Sequence, residues 1–388
     1  MDINKLKSDA VKKVDYQRAK LIALSHRIHD NPETGFHEVK AAKWLCSYLE
    51  ANGFETERSI CKLPTAFRAT YGKSKPNIAL MAEYDALPQI GHACGHNIIC
   101  TAAVGAAVAV KSVIDKLSGS IIVIGTPAEE MYGGKSSMTE RGAFSDIDAT
   151  MIVHPSTTDL ASTRALACIT LEVEFIGKAA HAAASPQEGI NALEAMILSF
   201  NGINSLRQHI VEQARIHGII TKGGEAPNVV PAYTSGSFLV RATNDNYLEE
   251  LKNRVLNCFQ AASLATGAQL KYRWKDYYAP LIINQTLSQV FAKNMRALGR
   301  EPQPPPERGF GSSDVGNVSR VVPTIHPEVA IAPHDIPLHS AEFAEAAISQ
   351  EGDLGLLDGA KALAMTAIDL LANKDLIRQI KREFTSAK

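Results

Sequence analysis

Residues 77–97 read NIALMAEYDALPQIGHACGHN, and this stretch joins an apolar run to a dense group of polar side chains. The run Asn77–Ala82 has the length and composition of a buried strand, and Glu83-Tyr84-Asp85 follows it directly. Two later runs end in the same way: Gly119–Ile124 before Thr126-Pro127-Ala128-Glu129-Glu130, and Ala149–Val153 before His154-Pro155. An alanine- and valine-rich helix is predicted between the first two runs, from about Ile98 to Leu117. Short buried strands that alternate with helices indicate a parallel, doubly wound α/β sheet.

The three predicted strands share a second feature, because each ends in residues that can bind a metal or move a proton. Open α/β sheets bind their ligands in the crevice beyond the carboxyl ends of the strands. We therefore expect the functional site at this edge of the sheet.

A different pattern begins after about Ala167. Its predicted elements are the strands Ile169–Gly177, Ile216–Lys222, Tyr233–Arg241 and Gln269–Trp274 and the helices Gly189–Val211 and Asn246–Ala265. Their order, β-α-β-β-α-β, is typical of a ferredoxin-like fold. The stretch covers about 110 residues, which is enough for a small domain.

The chain then returns to the earlier style, so the ferredoxin-like stretch is interpreted as an insertion. The later features are a proline-rich turn at Pro302–Pro306, strands at Val321–Ile325 and Val329–Ile331, and a helical region at Ala344–Lys374. The expected first domain is therefore discontinuous, with residues 1–168 and 277–388. The expected inserted domain contains residues 169–276.

Composition narrows the class of protein. The 388 residues include 40 Lys and Arg and 41 Asp and Glu, 45% are hydrophobic and 21% are charged, as in soluble globular chains. A net charge of −1 argues against nucleic-acid binding through bulk basicity. No window of about 20 uncharged apolar residues predicts a membrane span, and the N-terminus lacks the apolar core of a secretory signal. The six scattered cysteines favour reduced thiols, and we expect a cytoplasmic protein.

The densest chemical motif is Gly91-His92-Ala93-Cys94-Gly95-His96-Asn97. Cys94 and His96 are good ligands for a borderline-soft cation such as zinc. The two glycines allow sharp turns through which the side chains can converge. The alternative is a turn with a buried cysteine and a solvated histidine.

Three further segments add candidate groups. Glu129 and Glu130 point in different directions at a strand end, so that one can bind a metal while the other serves as a base. Taken alone, this pair could be a solvated acidic turn, His154 could be a core histidine, and His339 could neighbour a helix cap. Together with Cys94, they form about the set of ligands that a two-metal site needs.

The combination of GHACGHN with PAEE, VHP and the late LHS resembles metallopeptidase family 20, the aminoacylase and carboxypeptidase family. The resemblance extends from HDNPE at His29–Glu33 to the C-terminal helix. It is strongest to the amidohydrolase subfamily, which includes aminobenzoyl-glutamate hydrolases, hippurate hydrolases, auxin-conjugate hydrolases and β-alanyl-lysine dipeptidases. The family fold is a zinc-peptidase-like mixed sheet flanked by helices, with an inserted ferredoxin-like α+β domain that serves as lid and dimerisation domain.

The resemblance assigns roles to residues of this chain. The implied metal ligands are Cys94, His96, Glu130, His154 and His339. Glu129 becomes the general base, and Asp85 orients the site from behind the ligands. Many family members have a ligand histidine where this chain has Glu83, and this leaves open whether Glu83 touches a metal and whether Cys94 bridges two ions.

In the inserted domain, the resemblance implies three further roles. His181 would reach the active site of the partner subunit in a homodimer and donate a hydrogen bond to the oxyanion. Asn228 and Arg241 would hold the substrate carboxylate. The alternatives are a surface histidine, a turn residue and a solvated charge on a strand.

These inferences predict a metal-dependent amidohydrolase or peptidase. It would hydrolyse the amide bond of a dipeptide or N-acyl amino acid with a metal-activated water and two divalent ions, zinc or manganese with cobalt possible. Neither nucleic acid nor membrane is an expected partner. Two alternatives stay open: a hydrolase of the same fold that acts on a non-peptide amide or aromatic amine, and a metal-free binding protein.

Overall fold

A computed structural model describes residues 2–305, 307 and 310–387 of the chain. The chain divides into two compact units. The first comprises Met1–Arg164, Leu281–Phe310 and Asp314–Lys388, and the second comprises Ala165–Pro280 and Gly311–Ser313. Pro306, at the end of the predicted proline-rich turn, lies outside the described residues.

The first unit contains most of the helices and two of the three sheets. Its helices are α1 Ile3–His29, α2 Val39–Ala51, α3 His96–Lys111, α4 Glu129–Tyr132, α5 Gly134–Glu140, α8 Gln285–Ala297, α9 Val315–Ser319, α10 Ala341–Ala346, α11 Gln350–Ala372 and α12 Lys374–Ser386. Its strands are β1 Glu55–Arg58, β2 Phe67–Tyr71, β3 Asn77–Glu83, β4 Ser120–Thr126, β5 Ala149–Met151, β6 His154–Ser156, β11 Thr324–Ile325 and β12 Glu328–Ala330.

The main sheet of the first unit has six strands in the order β1-β2-β4-β3-β5-β11. β4, β3, β5 and β11 run parallel, whereas β2 runs antiparallel to both of its neighbours, β1 and β4. The mixed sheet expected from the family resemblance is confirmed, and the all-parallel sheet expected from the strand pattern is wrong at this edge. The reason is the short connection between β1 and β2, since a parallel crossover needs about a dozen residues or more.

The core of this unit surrounds α3, of whose 16 residues all but Lys111 are buried. A helix that is apolar on all sides belongs in the interior. Gly105 allows Leu21 of α1 to pack closely against α3, because a Cβ at Gly105 would lie 2.9 Å from Leu21 Cδ1. The predicted C-terminal helical region consists of three helices, because Ser349 and Asn373 accept backbone N–H groups and begin α11 and α12 as caps.

The second unit has the predicted β-α-β-β-α-β order. Its elements are β7 Ala167–Ile176, α6 Ala192–Arg207, β8 Arg215–Lys222, β9 Tyr233–Ala242, α7 Asp245–Thr266 and β10 Gln269–Tyr278. The strands form one antiparallel sheet in the order β10-β7-β9-β8. Alternate residues of β9 are buried, and Phe238 on this strand contacts Phe259 of α7 edge-to-face. This unit therefore has its own core.

No helix in the described part of the chain is both long enough and apolar enough to cross a membrane.

Candidate active site

The site is built where neighbouring parallel strands end. Glu83, the last residue of β3, lies opposite Thr126 at the end of β4. Asp85 follows β3, and Glu129 and Glu130 follow β4. Because the two strands end side by side, these three residues lie close together. This is the edge of the sheet at which the sequence predicted a site.

Gly95 shapes the segment that carries Cys94 and His96. Its φ of +74° is left-handed, and a Cβ on this residue would lie 2.4 Å from Pro155 Cγ. Glycine is therefore required by the backbone and by the lack of room. The turn brings Cys94 before it and His96, the first residue of α3, to the same region.

Asp85 positions two of the predicted groups. His96 Nδ1 lies 2.8 Å from the Asp85 carbonyl oxygen and 3.2 Å from its Oδ1, so this nitrogen carries the proton and donates. Asp85 Oδ2 accepts the backbone N–H of Glu130 at 3.0 Å. In the neutral ring the lone pair is on Nε2, as in a histidine that binds a metal, whereas without a cation, although burial opposes it, the Glu83 carboxylate raises the pKa of His96 well above its usual value.

His154 is oriented in the same manner. Its Nδ1 donates to the Pro155 carbonyl oxygen at 2.6 Å, which leaves the lone pair on Nε2. That nitrogen is 3.4 Å from Cys94 Sγ. Burial and the neighbouring His96 lower the pKa of His154 to about 4, so the ring is neutral near pH 7 and can act as a ligand.

His339 completes the group from a distant part of the chain. Its backbone is left-handed, with φ of +64°, and its N–H donates to the Ala93 carbonyl oxygen at 3.0 Å. The ring Nε2 lies 3.6 Å from Glu130 Oε1. Ser340 then begins α10 by accepting the N–H of Phe343.

The donor atoms of the five predicted ligands form two overlapping groups, and within each group all atoms lie within 4.8 Å of one another. One group is Cys94, His96 and His154, and the other is Cys94, Glu130 and His339. A third group of donor atoms, Glu83, His96 and Glu129, shares His96 with the first, so Glu83 is also close enough to contact a metal. Glu130 Oε1 is buried and makes no hydrogen bond within the described part of the chain, and the buried His96 Nε2 lies 2.9 Å from Glu83 Oε1. These close groups of sulfur, nitrogen and oxygen donor atoms fit a divalent zinc ion.

The acid–base groups have strongly shifted pKa values. Burial raises the pKa of the Cys94 thiol well above its usual value, and Glu130 adds to this shift. Burial also raises the pKa of Glu129, with contributions from Glu83 and Asp314. A cation bound nearby opposes both shifts, because it favours thiolate and carboxylate.

Glu83 belongs to a buried ion cluster with Lys135 and Asp314. Glu83 Oε1 lies 2.9 Å from His96 Nε2, and its Oε2 accepts from Lys135 Nζ. Lys135 Nζ also donates to Asp314 Oδ1 at 2.8 Å, while the Lys135 N–H donates to Asp314 Oδ2 at 2.8 Å. Although burial raises the pKa of Glu83, Lys135 and His96 outweigh it and hold that pKa well below its usual value.

Sequence reasoning missed Lys135 and Asp314. Lys135 and Glu83 are 52 residues apart, and Lys135 and Asp314 are 179 apart, so spacing carried no signal. His326 lies in none of the sequence motifs. Its ring centre lies 5.5 Å from that of His154, and neither ring nitrogen makes a hydrogen bond among the described residues.

The remaining predicted residues lie in the second unit. The segments of His181 and Asn228 pair with each other, since the Ala182 N–H donates to the Asn228 carbonyl oxygen at 3.0 Å. His181 Nδ1 accepts the N–H groups of Ala183 and Ala184, both at 3.2 Å, so the proton of the neutral ring is on the exposed Nε2.

Arg241 lies on β9. Its Nη1 donates to Ser312 Oγ at 3.1 Å, and its buried Nε has no hydrogen-bond acceptor in residues 2–305, 307 and 310–387. The guanidinium therefore retains capacity for a further acceptor.

Comparison with known proteins identifies the family. The sequence profile of peptidase family M20/M25/M40 matches residues 79–350. An alignment of 402 positions with Xaa-Arg dipeptidase of Mus musculus shows 38% identity and covers 99% of this chain and 93% of that protein. One of the subunits of p-aminobenzoyl-glutamate hydrolase from Escherichia coli K12 is 36% identical over 307 positions, which cover 74% of this chain and 64% of that protein.

A solved structure supports the fold. The chain resembles a dinuclear metal-binding peptidase of family M20 from Bacillus subtilis with a TM-score of 0.70 and 20% identity, over 92% of this chain and 99% of that one. The family resemblance inferred from the motifs is thus confirmed. The chain belongs to peptidase family M20/M25/M40, and it is a metal-dependent hydrolase of amide bonds in dipeptides or N-acyl amino acids.

Proposed function

We propose that Cys94, His96, Glu130, His154 and His339 would hold two divalent ions. The observation that carries this proposal is the pair of overlapping donor groups, both of which contain Cys94. When bound, such ions polarise the scissile carbonyl and make a water acidic enough to attack it. Thiolate and imidazole donors suit zinc, and manganese and cobalt are the other ions to test.

Glu129 is proposed as the general base. Burial and the neighbouring Glu83 raise its pKa, so ionised Glu129 accepts a proton more readily than an exposed glutamate does. It takes a proton from the attacking water and delivers it to the leaving nitrogen, and the amide separates into an acid and an amine. Asp85 keeps His96 and the Glu130 backbone in place meanwhile.

The second unit is proposed to act as lid and dimerisation domain and to supply substrate contacts. The Nε2–H of His181 is a suitable donor to the oxyanion of the tetrahedral intermediate, and from the family resemblance we propose that it serves the reaction of the partner subunit. Asn228, which lies beside it, and Arg241 are proposed to bind the substrate carboxylate. Arg241 can do so with two parallel hydrogen bonds.

We propose a homodimer that forms through β8. This strand is at the edge of its sheet, and no strand pairs beyond it among the described residues. Ile219 on β8 is 65% exposed, and Ile220 is 38% exposed. An exposed apolar edge strand is a ready template for pairing with a second chain, and a symmetric dimer satisfies both copies at once.

The proposed substrate is a dipeptide. The relative that is 38% identical over nearly the whole chain is a dipeptidase for Xaa-Arg bonds, so dipeptides with a basic C-terminal residue are the first substrates to test. A p-aminobenzoyl amide is the second candidate, because a hydrolase of p-aminobenzoyl-glutamate is 36% identical. We also propose a cytoplasmic location, because all six cysteines, which lie among the described residues, are free.

The experiment is a panel of Xaa-Arg, Xaa-Lys and neutral dipeptides, N-acyl amino acids and p-aminobenzoyl-glutamate, assayed with Zn²⁺, Mn²⁺ and Co²⁺. Glu129→Gln should keep its metal content and lose at least about 10²–10⁴-fold in kcat, because Gln cannot accept the proton. Glu140→Gln, on an exposed residue of α5, is the matched control and should remain active. Near-normal activity of metal-loaded Glu129→Gln would remove Glu129 from its role, and metal-free protein in all conditions would favour a binding protein.

A further inference from the structure

We propose that Glu38 is a positioning residue for Glu129 and Glu130, because its buried carboxylate holds the left-handed turn at Ala128 that precedes them. This inference rests on the proposed roles of Glu129 and Glu130. Glu38 lies 90 residues before Ala128 in the chain and contributes no donor atom to the candidate ligand groups.

The turn at Ala128 is conformationally unusual. Ala128 has φ of 61° and ψ of 43°, a region that residues with a Cβ rarely adopt. The residue is fully buried, and Gly35 leaves room for it, since a Cβ at Gly35 would lie 2.9 Å from the Ala128 Cβ. Strained backbone of this kind persists only where the surroundings fix it.

Glu38 supplies a side-chain contact to the N–H of this turn, whose carbonyl oxygen accepts the Gly134 N–H at 3.1 Å. Its Oε1 accepts the Ala128 N–H at 2.8 Å, and its Oε2 accepts the Thr65 hydroxyl at 2.9 Å. The Thr65 carbonyl oxygen in turn accepts the hydroxyl of buried Tyr84 at 2.6 Å. Both oxygens of the Glu38 carboxyl group therefore have a hydrogen-bond partner.

The two residues of the site are thus anchored from both sides. Glu38 binds the N–H before Glu129, and Asp85 binds the N–H of Glu130. Removal of Glu38 would leave a buried N–H without an acceptor, and the strained turn would relax to satisfy it. Glu129 and Glu130 would then move together, the first relative to the reacting atoms and the second relative to the other donor atoms.

The experiment compares Glu38→Ala, Glu38→Gln, Ala128→Gly and the double variant Glu38→Ala with Ala128→Gly in the full-length protein. Kinetics are measured at saturating Zn²⁺, Zn²⁺ affinity is measured by chelator competition, and Tm is measured without metal. Thr65→Val is the matched control, because it removes the other hydrogen bond of Glu38 and leaves the contact with Ala128.

Glu38→Ala should lower kcat about 10- to 100-fold with KM nearly unchanged, since a displacement of about 1 Å can cost about 10²-fold in rate. Zn²⁺ affinity should fall about tenfold, as for loss of an outer partner of a ligand. Glu38→Gln should keep most of both, because its amide oxygen can accept the same N–H. Ala128→Gly should be nearly neutral alone and should recover part of both losses in the double variant, because glycine adopts the left-handed turn without strain.

A Glu38→Ala variant with normal kcat and Zn²⁺ affinity would overturn the proposal. So would a Gln variant as impaired as the Ala variant, or a double variant that recovers Tm alone. If Glu38→Ala does not fold, the comparison of Glu38→Gln with Glu38→Asp decides, because aspartate is too short to reach Ala128 and should show the losses that Gln avoids. Failure of the proposed function is distinguishable, because wild-type protein would then bind no Zn²⁺ or hydrolyse no amide.

Discussion

Replacement of Lys135 by methionine tests the buried ion cluster. The Lys135 side chain is fully buried and bridges Glu83 and Asp314, which are buried as well. Methionine keeps an unbranched apolar stem of similar size and removes only the charge and its hydrogen bonds. Two neighbouring carboxylates then lose the cation that they share, and burial raises the pKa of Asp314 to about 6 even while Lys135 opposes the shift.

The expected cost is large. Removal of one partner of a buried ion pair typically destabilises a protein by about 3–5 kcal/mol, because the remaining charge has no compensation. The stability of a folded protein is about 5–15 kcal/mol, so the first unit of Lys135→Met should unfold at a clearly lower urea concentration. The loss should shrink as pH falls, because the carboxylates of the variant take up protons more readily than those of the unfolded chain.

Urea unfolding in a metal-free buffer measures this cost. The chain has two tryptophans, and Trp274→Phe leaves Trp44 as a fluorescent reporter of the first unit. Lys12→Met on the exposed side of α1 is the matched control. The double variant with Asp314→Asn restores the net charge of the cluster and should recover at least half of the loss. A loss below about 1 kcal/mol in the free energy of unfolding for Lys135→Met would refute the reasoning, because removal of one partner of a buried ion pair should cost about 3–5 kcal/mol.

Three further outcomes are expected. Cys94→Ala should lose bound metal before it loses fold, because the thiolate is the donor common to both groups, and metal analysis with stoichiometric binding of two ions would remove Cys94 from the ligand set. A heterodimer of a His181→Ala chain and a Glu129→Gln chain should recover about half of wild-type turnover if His181 serves the partner's site, since one of its two sites is then intact. Purified heterodimer without recovery would end the trans role. Burial lowers the pKa of His326 to about 3, so its contribution to stability is present above pH 6.5 and is lost as pH falls toward 3. His326→Gln should flatten the fall in urea stability of the metal-free protein over that range, and an unchanged slope would contradict this.

The sequence by itself determined the local features of the protein. Apolar runs with polar ends predicted β3 and β4 to within two residues, and alternation predicted the β-α-β-β-α-β order of the second unit. Both signals are local, since they depend on side-chain period and on breaks between neighbouring segments. The motif around Gly95 is local as well, because its glycine, cysteine and histidine lie in one turn.

Tertiary structure decided the arrangement that depends on distant segments. The antiparallel pairing of β2 with β4, the presence of Cys94 in two donor groups and the cluster of Lys135 all require strands and loops that are far apart in the chain. Glu38 shows the reason most clearly. In the sequence it is one acidic residue before a helix, and its partner Ala128 is 90 residues away. Because the Ala128 N–H is buried in the folded protein and has no contact with water, it needs an acceptor within the chain, and the Glu38 carboxyl group is that acceptor.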